Sequence, residues 1–476
     1  MLPVAARRGY PLPPSVLPEA ILAVDVLALT LSAAAVLFVF REPPENALML
    51  VFFFYLPFYV ALASWSRMHS ITSVISPMSR SDDVIIANAS VCLMLLSFLM
   101  AFGDSNKQNT VQFAAALSAC AATTMIALRF AARAVILDLS RRAVIGQNVI
   151  VAGTGDQLRR FVARLDQSRP IFVNICGIYE FAVDGHDAGP GEHPAEHPAV
   201  RDAAELIAIA RADAVDDIIL AMPWNAGAEL AHLVAQLKEL PISVHLSTDL
   251  VGYELSFRPI VGTLAQLPAF EVAQRPISGW SFVMKRMLDY TLSAAALVAL
   301  SPLMLLVALA IKIDTPGPVF FKQSRLGFNN ETFSIYKFRS MHHKPVSEAV
   351  IRQASKGDPR VTRVGRIIRT TSIDELPQLF NVLNGSMSLV GPRPHALSHN
   401  EEYGAQIRGY FVRHRVRPGI TGWAQVKGLR GETETLSKME ARVAHDVYYT
   451  ENWSLLFDLK ILIMTVAIVL FQRTAY

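Results

Sequence analysis

Apolar residues dominate four long runs at the start of the chain, and short polar segments separate them. The runs cover residues 20–40, 47–65, 84–103 and 111–137. Each run is close to the ~20 residues that a helix needs to cross a bilayer. The first is too long for a removable signal peptide, and three similar runs follow it. The pattern therefore predicts a domain of four transmembrane helices over residues 1–140.

Basic residues near the ends of these runs predict their orientation. Arginines lie before the first run, between the second and third, and after the fourth: Arg7, Arg8, Arg67, Arg80, Arg141 and Arg142. The alternate loops contain mainly Arg41 and Lys107. Because loops rich in Lys and Arg stay in the cytoplasm, the N-terminus and everything after residue 140 are expected to be cytoplasmic.

Short β-branched runs then alternate with helical patterns over residues 146–270. Strands are predicted at 148–152, 172–179, 217–221 and 242–246, and helices at 201–212 and 226–239. This alternation predicts a Rossmann-like α/β domain. Gly153 and Gly155 follow the first strand, but Leu158 stands where a dinucleotide fingerprint has its third glycine. The sequence therefore favours a structural or regulatory domain over a cofactor site.

A fifth apolar run, 288–313, has Ser301 and Pro302 at its middle. Proline inside a helix removes a backbone hydrogen bond and clashes with the preceding turn, so a kink is expected. Basic residues flank both ends of the run, and a crossing helix would move the basic segment that follows out of the cytoplasm. The run is therefore predicted to form a broken, re-entrant helix. An ordinary kinked fifth span is the alternative.

The charge of the chain is uneven. The net charge is +4, but residues 322–430 contain 18 Lys and Arg against 7 Asp and Glu, a local net charge of +11. Such a block, interleaved with Gly, Pro and aromatic residues, predicts a surface for phosphates, nucleotides or anionic lipid rather than a plain solvated face. The three cysteines are scattered, which excludes a disulfide framework.

The last apolar run, 455–471, is interrupted by Asp458 and Lys460. These charges suit a helix that lies in the membrane interface better than one that crosses the bilayer. Three aromatic residues just upstream are expected at headgroup level: Tyr448, Tyr449 and Trp453.

Asp374 and Glu375 form the candidate chemical centre. Adjacent carboxylates in a basic setting suit a nucleophile beside a metal ligand, with guanidinium groups available for phosphate. The alternative is a capping box formed by Ser372 and Glu375. Pro377 argues against it, because in that helix Pro377 would lack a needed N–H. The helix is expected to begin later and to leave both carboxylates at its mouth.

Residues 280–476 resemble the bacterial sugar transferase family, the monotopic polyprenyl-phosphate phosphoglycosyl transferases. The motifs that carry the resemblance are KRMLDYTLS at 285–293, TPGPVFFKQSRLG at 315–327, YKFRSM at 336–341, SIDELPQLFNVL at 372–383, MSLVGPRP at 387–394, RHRVRPGITGWAQV at 413–426 and YYTENWS at 448–454. Four spans followed by a Rossmann-like, CoA-binding-like domain resemble its large members. The implied fold class is membrane α plus α/β, with a monotopic catalytic domain at 280–476.

The resemblance implies a two-step reaction. Asp374 resembles the nucleophile that attacks the sugar-bearing phosphorus of a UDP-sugar, which releases UMP and leaves an aspartyl-phosphosugar. Undecaprenyl phosphate in the bacterial inner membrane then accepts the phosphosugar. Glu375 resembles the Mg²⁺ ligand. GPRPHA at 391–396 and GLRGET at 428–433 resemble the subgroup that starts exopolysaccharide repeats with glucose-1-phosphate.

Six basic residues are candidates for binding the substrate phosphates. Arg369 and Arg393 suit bidentate phosphate contact best, followed by Arg366, Lys337 and Arg339, while Arg417 is a candidate for holding the nucleotide. Ser386 departs from the family, which usually has an acid at this position. A supporting role of that acid, such as holding Arg393, is in doubt, but activity is expected to survive.

Three alternatives stay open at this point. The sugar is glucose by resemblance, with galactose as the alternative. A membrane nucleotide-sugar dehydratase is a different enzyme class, and it would need an intact nicotinamide fingerprint. A non-catalytic assembly scaffold is the third. No nucleic-acid partner is expected, whereas a homodimer and contacts with polysaccharide-assembly proteins are.

Overall fold

The computed structural model describes most of the chain. The described residues are 12–40, 51–66, 68, 81–102, 107–168, 171–181, 197–222, 227–247, 269–342, 358–407, 409–429 and 435–471. Several predictions lie partly or wholly outside these ranges. They concern residues 47–50 and 103 of the second and third apolar runs, residue 226 of a predicted helix, 430–433 of the GLRGET motif, 472–476 of the catalytic domain, and the flanking residues Arg7, Arg8, Arg41, Arg67 and Arg80.

Four apolar helices make up the N-terminal part. They are α1 (Leu17–Val39), α2 (Val51–Trp65), α3 (Ser81–Phe102) and α4 (Lys107–Arg141). Their inner faces share one core, in which Leu29, Tyr59 and Leu117 are fully buried, whereas Phe38 is 91% exposed on the outside. Within the described ranges, three helices are long and apolar enough to cross a membrane: Pro14–Val39, Val111–Arg141 and Gly279–Asp314. The protein is therefore membrane-associated.

The start of α1 and the end of α4 lie at the same end of this bundle. The backbone N–H of Leu12 donates to Val144 O at 2.8 Å, and that of Gly146 donates to Leu12 O at 3.0 Å. Leu17 also packs against Ile136 in a small buried cluster. The chain thus enters and leaves the bundle on one side.

A six-stranded sheet follows, as the alternating pattern predicts. Its strands are β1 (Gln147–Gly153), β2 (Val173–Phe181), β3 (Ala199–Val200), β4 (Asp217–Ala221), β5 (Ser243–Ser247) and β6 (Ala269–Ala273). Its helices are α5 (Gly155–Ser168), α6 (Ala203–Ala212) and α7 (Gly227–Leu237). The order is β3-β2-β1-β4-β5-β6, parallel except for β6 against β5. The order of the first five strands is Rossmann-like.

The glycine turn after β1 differs from a dinucleotide site in two ways. Leu158, at the position of the missing third glycine, is fully buried and packs against the β1 side chains. The backbone N–H of Gly155 donates to Glu180 Oε1 at 3.2 Å. The Glu180 carboxylate therefore accepts the hydrogen bond from a backbone N–H that would otherwise bind a diphosphate.

The C-terminal part combines helices with two small sheets. Its helices are α8 (Gly279–Asp314), α9 (Arg363–Thr370), α10 (Gln378–Leu383), α11 (Leu397–Gln406), α12 (Trp423–Val426), α13 (Leu436–Glu451) and α14 (Leu455–Phe471). Its strands are β7 (Phe320–Leu326), β8 (Thr332–Phe338), β9 (Ser388–Val390) and β10 (Gly419–Thr421). Strands β7 and β8 form an antiparallel hairpin, and β9 pairs in parallel with β10.

Helix α8 is continuous through the predicted break. Pro302 lies inside it, and the Ser301 hydroxyl donates to Val298 O at 2.8 Å. A non-helical gap at the predicted break is therefore not observed. Val298 O is the carbonyl that Pro302 leaves without its helical N–H, and the Ser301 hydroxyl donates to it instead. A kink at Pro302 that makes the helix re-entrant stays a prediction.

Helix α14 is not simply an interfacial helix with its charges in the headgroups. Asp458 is fully buried and accepts hydrogen bonds from Lys285 Nζ at 2.6 Å and from the Tyr449 hydroxyl at 2.7 Å. The expectation that Tyr449 lies at headgroup level is wrong, since its side chain is 1% exposed while that of Tyr448 is 52% exposed. Adjacent helical residues point about 100° apart, so only one of the pair reaches the surface.

Candidate active site

Asp374 and Glu375 lie in a short 3-10 turn, Ile373–Glu375, between α9 and α10. Ser372 has a positive φ of 58° and makes no capping hydrogen bond from its side chain, so the capping-box interpretation fails. Helix α10 begins only at Gln378, after Pro377. The prediction that the carboxylates precede the helix is confirmed.

Glu375 is buried and paired with two cations. Lys337, on β8, donates to Glu375 Oε1 at 2.8 Å. Arg393, which follows β9, donates through Nη2 to Oε1 at 2.6 Å and through Nη1 to Oε2 at 3.3 Å. Burial alone would raise the pKa of Glu375, but Arg393 and Lys337 outweigh it and hold this pKa well below its usual range. Glu375 is therefore ionised at neutral pH.

Asp374 has a different environment from its neighbour. Its side chain is half-buried, and burial raises its pKa to about 6, with Glu375 adding to the rise and Lys337, Arg369 and Arg393 opposing it. At neutral pH most of the group is ionised, yet it is poorly solvated. A carboxylate in this state is a better nucleophile than one exposed to water.

Helix α9 carries two of the predicted phosphate ligands at different depths. Arg369, in its last turn, is half-buried and close enough to Asp374 to lower the pKa of that carboxyl. Arg366 is exposed. The structure thus brings Arg369 to the acid pair and leaves Arg366 on the outer face of the same helix.

Arg339 and Arg417 have other surroundings. Arg339 is buried and donates to Thr315 O at 2.7 Å and Pro316 O at 2.8 Å, so it caps the end of α8. Arg417 lies over the rings of Phe282 and Phe328, 5.4 and 5.7 Å from their centroids. These contacts are structural, and phosphate binding by either residue stays a prediction.

Two further arginines belong to the site and were not predicted from the sequence. Arg325, on β7, forms a backbone bridge with Ala396, just after the Gly391–Pro394 turn. Burial and the nearby Arg393 lower its pKa to about 10, whereas Glu375 raises it. Arg413 donates to Arg393 O and is 1% exposed. Both arginines lie in family motifs, Arg325 in TPGPVFFKQSRLG at 315–327 and Arg413 at the start of RHRVRPGITGWAQV at 413–426, and these motifs are the sequence signal for them.

Ser386, the position that departs from the family pattern, belongs to the turn after α10. Its hydroxyl donates to Asn384 Oδ1 at 2.8 Å, and it accepts a hydrogen bond from Asn381 Nδ2 at 3.2 Å. The carboxylate that contacts Arg393 is Glu375. Glu375, and not residue 386, is therefore the carboxylate that holds the Arg393 side chain here.

The donor set at the acid pair suits a hard cation together with substrate oxygens. In the described part of the chain, no group of three or more His, Cys, Asp and Glu side chains could hold a metal ion. Mg²⁺ commonly uses one or two carboxylates and completes its shell with phosphate oxygens and water. The ionised Glu375 fits such a site, although Lys337 and Arg393 compete for its oxygens.

Two family profiles match the chain. A profile of the bacterial sugar transferase family matches residues 280–472, and a profile described as a CoA-binding domain matches residues 68–248. The first covers the part of the chain that holds Asp374, Glu375 and their cations.

Three curated relatives carry one name, UDP-glucose:undecaprenyl-phosphate glucose-1-phosphate transferase. The protein from Xanthomonas campestris pv. campestris is 37% identical over 355 residues, which are 74% of this chain and 72% of the relative. The one from Escherichia coli (strain K12) is 43% identical over 57% of this chain and 58% of its own length. The one from Caulobacter vibrioides is 47% identical over 52% of this chain and 86% of its own length.

Proposed function

The chain belongs to the bacterial sugar transferase family, and we propose that it transfers glucose-1-phosphate from UDP-glucose to undecaprenyl phosphate. The products are UMP and undecaprenyl-diphosphate-glucose, the lipid on which an exopolysaccharide repeat can be built. The proposal rests on one observation: a half-buried Asp374 of raised pKa lies beside an ionised Glu375 that two cations hold.

In the first step, an Asp374 oxygen attacks the phosphorus that carries the sugar. A new P–O bond to the carboxylate forms as the bond to the bridging oxygen of the diphosphate breaks, and that oxygen leaves with UMP. In the second step, an oxygen of undecaprenyl phosphate attacks the same phosphorus and restores the Asp374 carboxylate. No net proton is required in either step.

The cations around the acid pair stabilise the charge that develops on the phosphoryl oxygens. Arg393, Lys337, Arg369 and Arg325 surround the two carboxylates, so an incoming diphosphate meets an excess of positive charge. Glu375 would hold Mg²⁺ and the diphosphate oxygens would complete its shell; the metal would neutralise charge on the diphosphate. Lys337 and Arg393 already donate hydrogen bonds to the Glu375 oxygens. Because the diphosphate would supply the other ligands, we expect Mg²⁺ to bind together with UDP-glucose rather than alone.

Helix α8 is proposed to be re-entrant, so that both of its ends face the cytoplasm. Before Pro302, Lys285 donates to Val390 O at 3.0 Å, and Asp289 accepts from the Ser388 hydroxyl at 3.0 Å. After Pro302, Ile311 packs in a cluster with Phe338. Both halves thus contact one catalytic domain, whereas a spanning helix would separate them by ~30 Å of hydrocarbon.

The four N-terminal helices are proposed to cross the inner membrane and to leave the remaining domains in the cytoplasm. The charge pattern of the flanking segments and the shared position of the start of α1 and the end of α4 support this topology. A reporter fused after residue 476 tests both parts of it. A cytoplasmic reporter is expected, and a periplasmic one would mean that α8 crosses the membrane or that the N-terminal helices cross it an odd number of times.

The covalent step is tested by Asp374→Asn with UDP-glucose, Mg²⁺ and undecaprenyl phosphate. We expect UMP release to be lost, together with the exchange of labelled UMP into UDP-glucose that an aspartyl-phosphosugar allows in the absence of lipid. Asp156→Asn, on an 81% exposed side chain of the Rossmann-like domain, is the matched control. Undiminished UMP release by Asp374→Asn would contradict the mechanism.

The choice of sugar is tested by UMP release across a panel of UDP-sugars that includes UDP-galactose.

A further inference from the structure

Arg413 lies directly beneath the turn that carries Arg393. It belongs to the short 3-10 helix Tyr410–Arg415, and its side chain is 1% exposed. One terminal nitrogen, Nη2, donates to the backbone carbonyl of Arg393 and lies 2.9 Å from Asp446 Oδ2. The other, Nη1, contacts the imidazole of His395. A single buried guanidinium thus joins the turn of Arg393 to α13, which carries Asp446.

The hydrogen bond from Arg413 to Arg393 O holds the C-terminal side of the turn Gly391-Pro392-Arg393-Pro394. On its N-terminal side, Gly391 N donates to Thr421 O at 2.9 Å, and Pro392 O accepts from Gly419 N at 2.9 Å. Neither proline has an N–H to donate, so the turn has few backbone bonds of its own. On the C-terminal side, Arg413 binds the carbonyl of Arg393 itself.

The charges of this layer explain why arginine stands at position 413. Burying a cation is costly unless a partner compensates it, and Asp446, 2% exposed, is that partner. A guanidinium can donate to the Arg393 carbonyl and to His395 while it faces the Asp446 carboxylate as an ion pair, because its donors form a rigid fork, whereas an ammonium is a point charge. Lysine at this position would keep the charge but lose the simultaneous contacts.

We propose that Arg413, held by Asp446, is a positioning residue that sets where the Arg393 guanidinium meets Glu375 and the substrate diphosphate. The inference rests on the proposed function for the identity of that substrate. Arg413 acts through the backbone of Arg393, so its contribution depends on the Arg393 side chain. A misplacement of about 1 Å in such a site can cost ~10²-fold in rate.

A double-mutant cycle tests this dependence. UMP release is measured for wild type, Arg413→Lys, Arg393→Lys and the double variant, with the UDP-sugar that wild type turns over fastest. We expect Arg413→Lys alone to lower kcat/KM by about tenfold and to add less than about twofold when Arg393 is already lysine. If the two losses multiply, Arg413 acts independently of Arg393 and the proposal is overturned.

Arg415→Lys is the matched control, because it makes the same substitution two residues away on the same short helix. Arg415 is also buried, but it donates to Leu240 O at 2.9 Å in the Rossmann-like domain. Its effect is expected to be the same in the wild-type and Arg393→Lys backgrounds. Coupling of Arg415→Lys to Arg393 as strong as that of Arg413→Lys would point to general loosening and would also overturn the proposal.

Asp446→Asn gives a second route if Arg413→Lys does not fold. This substitution removes the negative charge that holds Arg413 and hardly changes the volume of the side chain. We expect the same coupling to Arg393→Lys. Losses that multiply in this cycle would contradict the proposal too. Failure of the proposed function is seen separately: wild type would then release no UMP from UDP-glucose and undecaprenyl phosphate, or Asp374→Asn would keep releasing it.

Discussion

Two ionic clusters in this protein differ in burial and in charge balance. In the N-terminal bundle, Asp25 and Arg129 are 0% and 5% exposed, Arg129 Nε donates to Asp25 Oδ1 at 3.0 Å, and the Tyr59 hydroxyl donates to Oδ2 at 2.9 Å. In the catalytic domain, Glu375 pairs with Lys337 and Arg393, whose side chains are 22% and 29% exposed. One cluster is sealed and balanced in charge, and the other is partly open and rich in cations.

The difference shows how to tell a structural ion pair from a binding site. A sealed pair with matched charges has no capacity left for a ligand, and its value lies in fixing the packing of α1 against α4. A cluster with two cations on one carboxylate, and with Arg325 and Arg369 nearby, attracts an anion. The half-buried Asp374 then lies where that anion would bind.

The largest expected effect is that of Glu375→Gln on activity. The substitution keeps the size of the side chain but removes the charge that orders Lys337 and Arg393. We expect UMP release to fall by ~10³-fold, as for the loss of one preorganised electrostatic contact in an active site. Steady-state assays with saturating Mg²⁺ measure the loss, and unfolding curves check the fold. A loss below about tenfold would mean that the open cluster is structural as well.

The next largest effect is expected in the sealed cluster. Arg129→Leu leaves Asp25 buried without its cation, so the free energy of unfolding should fall by about 3–5 kcal/mol. Unfolding in detergent micelles measures the change, and UMP release per folded molecule should not change. The double substitution with Asp25→Leu should recover much of the loss. If the double variant stays as unstable as Arg129→Leu, the two side chains contribute more to stability than the neutralisation of each other's charge.

A smaller effect is expected on the pH dependence of the first step. Asp374 attacks as the carboxylate, so UMP release in a single turnover should fall as the pH drops below about 6, the pKa of that group. Lys337 lowers this pKa, and Lys337→Gln should therefore move the acid limb to higher pH by about one unit, or ~1.4 kcal/mol. Glu375→Gln should move it to lower pH, because Glu375 raises the pKa. Limbs that do not move would exclude Asp374 as the titrating group.

The smallest effect is expected for Arg366→Gln. Arg366 is exposed on α9, whereas Arg369 on the same helix is half-buried and close to Asp374. The KM for UDP-glucose should change by less than about threefold in Arg366→Gln, since exposed charges act weakly through water, and by more in Arg369→Gln. Initial-rate measurements on the two variants decide the ranking. An equal effect of both would place Arg366 at the substrate.

The sequence predicted much of the fold where the governing interactions are local. The strand 217–221 is found with those bounds, and the other three predicted strands agree to within two residues. Pro377 correctly predicted that the acid pair precedes its helix. These features depend on residues a few positions apart, whose periodicity and backbone restrictions can be read along the chain.

Only the tertiary structure shows how the predicted cations reach the acids. Lys337 and Arg393 are 38 and 18 residues from Glu375, and Arg413 is 20 residues from the carbonyl that it binds. The sequence ranked Arg369 and Arg393 first but grouped Lys337 with Arg366 and Arg339. In the fold Lys337 contacts Glu375, whereas Arg366 is exposed and Arg339 caps a helix. Likewise, Tyr449 and Asp458 face the core, where the Tyr449 hydroxyl donates to Asp458 and contacts Val390 O on β9. By itself the sequence determined most of the elements, since these follow from local chemistry, and it pointed to Asp374 and Glu375 as the candidate pair through their motif. The charges around the pair depend on how distant segments meet, which only the folded chain decides.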